Sequence, residues 1–229
     1  MRPVSPAKRK AKQEYANAGK IILMRHPHCW LSHVLYGQVR QAMEIHHTKG
    51  RIGDLIHDQR FLLQIHPIAH RWLEDHLRAA RAMGVLFDKG YGIHDEENAE
   101  QLKKWRHKVT FPLMSFAMTT EALVNKTKSV TRRTGWENAK AGDIVVGCHK
   151  TMGFAKGECP RRLAIIQIKS VNRERLIDIH RYPGETAREG FPDLTADQFI
   201  EMLAKHYGAN ETIPVTRLEF EHLGNINEE

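Results

Sequence analysis

Cysteine is scarce in this chain of 229 residues: Cys29, Cys148 and Cys159 are all there is, an odd number with no CxxC pair. That pattern excludes a disulfide-stapled scaffold and a cysteine-rich zinc site, and it is the usage of a reducing cytoplasm. Long apolar runs are lacking too. Nothing approaches the roughly 18 residues that a membrane-spanning helix needs, and the basic N-terminus is followed only by Ile21-Ile22-Leu23-Met24, too short an apolar core for a secretory signal. Acidic residues are nearly absent from the start of the chain, where Glu14 stands alone against Arg2, Lys8, Arg9, Lys10, Lys12 and Lys20. These absences lead to the expectation of a soluble, cytoplasmic protein with no membrane association.

What is present is positive charge. The formal net charge is +8 and the pI is near 9.5, an excess that favours polyanionic partners through counterion release and electrostatic steering. The length is generous for one compact domain and comfortable for two. Residues 1–20, basic and interrupted by Pro3 and Pro6, read as a flexible arm able to touch phosphates or simply to aid solubility.

Residues 21–110 read as a mainly helical module. Leu31, Val34, Leu35, Val39 and Met43 recur at helical spacing between Cys29 and His47, and Gly50 and Gly53 then break the pattern. A second helix is predicted from Pro67 through Ile68, Trp72, Leu73, Leu77 and Ala80 to Gly84. A third follows Asp95 as N-cap and runs to Trp105. Residues 111–229 change texture. Strands are predicted over Leu113–Ala117, Asp143–Cys148, Leu163–Val171, Leu176–Ile179 and Ile213–Glu221, interrupted by one helix that the Thr195/Gln198 capping box opens and Gly208 closes. An α+β mixed barrel behind a helical module fits this order.

Eleven of the fifteen histidines lie before Val109. His66 and His70 are four apart, and His26, His28 and Cys29 cluster, but no HExxH or zinc-finger spacing occurs, so no metal and no cofactor is expected. The histidines read as surface or interface groups, some able to meet phosphate when protonated.

The chemistry-bearing segment is Lys128-Ser129-Val130-Thr131-Arg132-Arg133. A regular strand would put Lys128, Val130 and Arg132 on one face and Ser129, Thr131 and Arg133 on the other, so a turn or bulge is needed to join Lys128 to Thr131. An ammonium with its ordinary pKa of about 10.4 is a poor base; desolvation or a neighbouring cation such as Arg133 would make Lys128 a usable one beside a threonine nucleophile. Glu189 could donate a proton or orient the lysine. The competing reading is a solvated or phosphate-contacting strand face with no catalysis.

Three further segments follow in order: Lys140-Ala141-Gly142-Asp143-Ile144-Val145, Ala187-Arg188-Glu189-Gly190-Phe191, and Val215-Thr216-Arg217-Leu218-Glu219-Phe220. Over residues 112–223 the four together resemble the ASCH domain, a small β-barrel related to the RNA-binding PUA domains. The resemblance implies a PUA-like, ASCH-like barrel in which Lys128, Thr131 and Glu189 match the positions proposed as base, nucleophile and proton donor in members that deacetylate N4-acetylcytidine. Other members are ribonucleases or RNA-binding modules without known chemistry. The expected function is thus an RNA- or nucleoside-interacting protein, either an amidohydrolase of an N4-acylated cytidine, a ribonuclease or a non-catalytic RNA reader. Arg132, Arg133, Arg161 and Arg162 are the expected nucleic-acid or substrate contacts, and a protein partner could engage the helical module. The family commonly has glycine two residues before the lysine, where this chain has Lys126; Asn125 is the residue expected to supply the left-handed turn instead. Met83-Gly84-Val85-Leu86-Phe87-Asp88, after the helix bearing Trp72 and Leu73, is also similar to the helical pyrimidine-dimer glycosylases. Those enzymes use an N-terminal threonine amine and a glutamate that have no counterpart here.

Overall fold

The computed structural model describes residues 5–226 and divides into two compact units, with the boundary in the chain between Thr110 and Phe111. Arg2 and Pro3 of the expected arm lie outside the described residues. From Pro6 onward the arm expectation is corrected, because helix α1 runs from Pro6 to Arg25. Alanine, lysine and glutamine are good helix formers, and Ala18 and Ile22 anchor the helix by packing with Ile45 and Leu62.

The rest of the N-terminal unit alternates short strands and helices: β1 (His28–Cys29), α2 (Trp30–Tyr36), β2 (Arg40–Gln41), β3 (Glu44–His47), β4 (Leu62–Ile65), α3 (Pro67–Asp75), α4 (Leu77–Ala82) and α5 (Asp95–Trp105). Two antiparallel ladders, β1–β2 and β3–β4, are small. The helix expected over Cys29–His47 ends early, at Gly37, whose φ of 78° provides a left-handed cap. Beyond it Val39 and Met43 are exposed, and the chain turns extended to pair β3 with β4. The helix expected from Pro67 to Gly84 is broken at His76, whose φ of −127° is not helical. Asp95 is the first residue of α5 rather than its cap. No helix among the described residues is long and apolar enough to cross a membrane.

The C-terminal unit contains β5 (Leu113–Ser115), α6 (Thr120–Val124), β6 (Val130–Arg133), β7 (Ile144–Cys148), β8 (Arg162–Arg175), α7 (Glu185–Arg188), α8 (Ala196–Tyr207) and β9 (Pro214–Asn225). One mixed sheet carries all five strands in the order β5-β7-β8-β9-β6; β5 lies parallel to β7 and the other neighbours are antiparallel. Register shifts at Gly147/Cys148, Ile165/Ile166 and Ile168/Ser170 bend the long strands, as bulges do, and curl the sheet into a half-barrel. Met114, Phe116, Leu123, Val145, Ile166 and Leu218 fill one core of this unit. A second core joins α8, through Phe199, Ile200 and Leu203, to Leu176, Ile179 and Val215. Leu176–Ile179 is a 3-10 turn rather than the expected strand, because Asp178 accepts from the Arg175 N–H and winds the chain. The Thr195/Gln198 capping box opens α8 as expected, and Gly208 closes it.

Candidate active site

The turn ahead of β6 decides where the chemistry falls. Asn125 stays right-handed at φ −77°, and Lys126 itself adopts the left-handed conformation at φ 63°, so the left-handed turn expected of Asn125 falls to Lys126. The backbone N–H groups of Thr127 and Lys128 then both donate to the Ala122 carbonyl, and the chain re-enters the interior two residues before the strand begins. Lys128 is consequently buried, 3% exposed.

Glu189 reaches the same place from the other side. It caps α7, donating its N–H to the Glu185 carbonyl, and Arg188 O accepts from Ser129 N to fasten this turn to the start of β6. Gly190 follows with φ 90°; a Cβ there would stand 3.0 Å from both Ala122 Cβ and Thr119 Cγ2, so only glycine fits this approach. Lys128 Nζ donates to Glu189 Oε2 at 3.0 Å and to the Glu189 carbonyl. Burial pushes the Lys128 ammonium below its ordinary pKa; the attraction of Glu189 opposes that, while Arg133 and Arg132 add to it.

Lys128, Thr131, Arg132, Arg133 and Glu189 all line one cavity of about 90 Å³, with Phe116 and Tyr207 among its walls. The structure therefore joins Lys128 to Thr131, which a regular strand would have separated. Thr131 is buried, and its Oγ1 accepts from Arg133 Nε at 3.1 Å. Arg133 also donates to the Ser115 carbonyl and lies 5.3 Å from the Phe116 ring centroid. Burial lowers its pKa, against the pull of Tyr207 and Glu189.

Arg132, expected to contact substrate or phosphate, is committed elsewhere. Its guanidinium is fully enclosed and divided among three carboxylates: Nε to Glu174 at 2.8 Å, Nη1 to Glu189 at 2.9 Å and Nη2 to Glu185 at 2.8 Å. Arg161 and Arg162 do not line the cavity. Arg161 is exposed and Arg162, half-buried, begins β8 opposite Cys148. Cys148 is buried with its thiol pushed up to about 11, chiefly by desolvation, which suits a packing residue rather than a nucleophile.

Sequence reading missed Glu185, Glu174, Phe116 and Tyr207. Glu185 had a signal: it stands four residues before Glu189, one helical turn away and on the same side. Arg217 lay inside the fourth segment, but nothing local announced its partner Glu185, whose Oε2 accepts from Arg217 Nε at 2.6 Å.

The histidine expectation needs revision for the N-terminal unit, where His46 and His47 are buried rather than superficial. Glu44 Oε2 is 2.7 Å from His70 Nδ1, and His70 Nε2 is 3.2 Å from His46 Nδ1. Desolvation, with His70, His47 and Arg51 nearby, lowers the His46 pKa to about 3. His66 caps α3 through a 3.3 Å bond from Ile68 N to its Nδ1. No group of three or more histidine, cysteine, aspartate or glutamate side chains among the described residues is arranged to hold a metal ion.

No protein-family model matches the sequence, and no curated protein matches it. Among solved structures, a protein of Enterococcus faecalis assigned to DUF984 shares 15% identity over 53% of this chain and 81% of its own, with a TM-score of 0.35. The ASCH domain from Lactobacillus crispatus shares 14% identity over 64% of this chain and 92% of its own, with a TM-score of 0.39. The C-terminal unit, with its mixed five-stranded sheet and helices, has an α+β architecture.

Proposed function

We propose that the C-terminal unit acts on RNA or a modified nucleoside and that its cavity hydrolyses the amide of an N4-acylated cytidine. The observation that carries this reading is the buried Lys128 Nζ, 3.0 Å from Glu189 Oε2, in the cavity that Thr131 also lines. Desolvation lowers the Lys128 pKa, which raises the fraction of neutral amine able to take a proton. Thr131 Oγ attacks the acyl carbon as Lys128 removes its proton. The amide C–N bond then breaks. The leaving N4 takes a proton passed from Lys128 through Glu189, because both Glu189 oxygens already accept from cationic donors. Water cleaves the threonyl ester, releasing the carboxylic acid and restoring the hydroxyl. Arg133, beside Thr131 Oγ1, stabilises the oxygen on which negative charge develops.

The test is a chromatographic assay of the purified chain on N4-acetylcytidine, with mixed RNA in parallel. Lys128→Ala and Thr131→Val, each checked for folding by circular dichroism, should each lose about 100-fold or more of cytidine release. Full turnover by folded Lys128→Ala would overturn the assignment. Lysine-dependent RNA fragments would instead move the site to phosphodiester chemistry. The net charge of +8 favours RNA contact independently of turnover; if the chain is an RNA reader, its affinity should fall steeply as salt rises.

A further inference from the structure

Residues 41–45 all line one cleft of the N-terminal unit, a cavity of about 860 Å³ whose opposite wall is α1. The face of a strand offers every second side chain, whereas its edge offers each residue in turn, so this unbroken run presents an edge. β3 pairs with β4 alone among the described residues, and no β4 residue lines the cleft, which leaves the far edge of β3 toward it. Helix α1 does not close that edge. Its Ala18 and Ile22 pack on the face that bears Ile45 and Leu62, and Gly19 comes so near that a Cβ there would stand 3.3 Å from Ile45 Cγ1. An open strand edge presents backbone N–H and C=O groups and is a template for another strand.

Two cations stand in the cleft with no counter-charge. Lys20 and Arg51 are exposed, and neither has a carboxylate partner among the described residues. Arg51 is anchored by its Nε, which donates to His47 Nδ1 at 3.2 Å, so its two Nη groups are left for a ligand. The one acid of the cleft, Glu44, is taken by His70 Nδ1 at 2.7 Å. Met24 and Met43, 73% and 64% exposed, frame it with flexible apolar surface. Tyr15 lies against His47, with 5.0 Å between ring centroids, rather than standing out as a platform for a nucleobase. A strand edge beside methionines suits a polypeptide better than a nucleic acid.

We propose that this cleft docks an extended acidic segment of a partner protein, which adds a strand to β3, sets its carboxylates against Lys20 and Arg51 and lays its alternate apolar side chains on Met24 and Met43. The site belongs to the N-terminal unit and is independent of the hydrolytic reading.

Fluorescence anisotropy of the full chain with three sets of labelled short peptides tests the proposal: one alternating glutamate with valine, leucine or methionine, one with lysine in place of glutamate, and one with proline at every second position. The acidic set should bind saturably and the other two should not, and Lys20→Glu/Arg51→Glu should weaken binding by about tenfold or more. Absence of binding by the acidic set, equal binding by the proline set, or an unchanged affinity in the charge reversal would overturn it. Should the charge reversal fail to fold, amide shifts of the wild type decide: shifts on residues 41–45 and α1 with the acidic set support the site, and shifts elsewhere remove it. Movement of those amides by polyuridylate, with none by the peptides, would make the cleft a nucleic-acid site and end the proposal. Lys128→Ala should bind the acidic set as the wild type does while losing turnover, so the failure of either reading leaves the other standing.

Discussion

Arg132 and Arg217 are register partners across β6 and β9, and Glu185 accepts from both guanidinium groups, at 2.8 Å from Arg132 Nη2 and 2.6 Å from Arg217 Nε. Like charges directly opposite one another weaken a strand pair; here the carboxylate delivered by α7 turns the conflict into a clasp between helix and sheet. Both guanidinium groups also lie over the Tyr182 ring, at 5.7 Å and 4.8 Å from its centroid. Since Arg132 bonds Glu189 as well, the clasp fixes the carboxylate that faces Lys128.

Replacing Glu185 with glutamine should therefore expose the repulsion it conceals. The expected loss is about 3–5 kcal/mol, the cost of leaving buried charge uncompensated, read as a lower urea midpoint for the C-terminal unit. Combined with Arg217→Met, the two losses should fall short of their sum by about 1 kcal/mol or more. Simple additivity would show that the clasp carries no coupling.

Gly190→Ala should cost about 1–3 kcal/mol, because the added methyl group meets Ala122 and Thr119 in a left-handed conformation. The adjacent Glu189 would move with the backbone, so turnover should fall in the same variant. A variant with wild-type stability and turnover would mean that the α6–α7 approach is looser than its distances indicate.

Lys126→Gly should act in the opposite direction. Lys126 is exposed and left-handed, a conformation that costs an L-residue about 1–2 kcal/mol. Glycine removes that cost and loses roughly 0.5–1 kcal/mol of it to greater freedom in the unfolded chain. A net gain of about 0.5–1 kcal/mol in thermal or urea unfolding is expected; a loss would mean that the lysine side chain contributes to the turn.

Acid should destabilise the N-terminal unit through His46. Its folded pKa of about 3 lies below the ordinary value of 6.5, so between those values the unfolded chain binds the extra proton. Stability is full above pH 6.5 and declines as pH falls toward 3, by a few kcal/mol in total. Trp30, Trp72 and Trp105 report on this unit by fluorescence. His46→Gln should flatten the acid limb of the unfolding curve, and an unchanged limb would assign the acid sensitivity to other groups.

Much of the C-terminal unit was legible in the sequence because its signals are local. The Thr195/Gln198 capping box, the buried run Ile144–Cys148 and the turn at Gly142 each specify their own backbone, and of the four ordered segments the first and third supply residues that line the cavity. The N-terminal unit was less legible. Val39 and Met43 kept a helical period, but Gly37 ended the helix and the pairing of Glu44–His47 with Leu62–Ile65 claimed the segment for a ladder. Leu176–Ile179 failed as a strand for a comparable reason, since one side-chain bond from Asp178 outweighed β-propensity.

By itself, the sequence determined the excess of positive charge, the change from helical to strand texture near residue 110, and the presence of lysine, threonine and arginine within six consecutive residues. Tertiary structure alone decided what those residues became. Arg132 and Arg133 are neighbours in the chain with the same side chain, yet Arg132 is enclosed by three glutamates and Arg133 faces the cavity with neutral partners. Two of those glutamates, Glu185 on α7 and Glu189 at its C-terminal cap, arrive more than fifty residues downstream. The charge state and availability of a buried group depend on the carboxylates and the solvent around it, and only the folded chain brings these within a few ångströms.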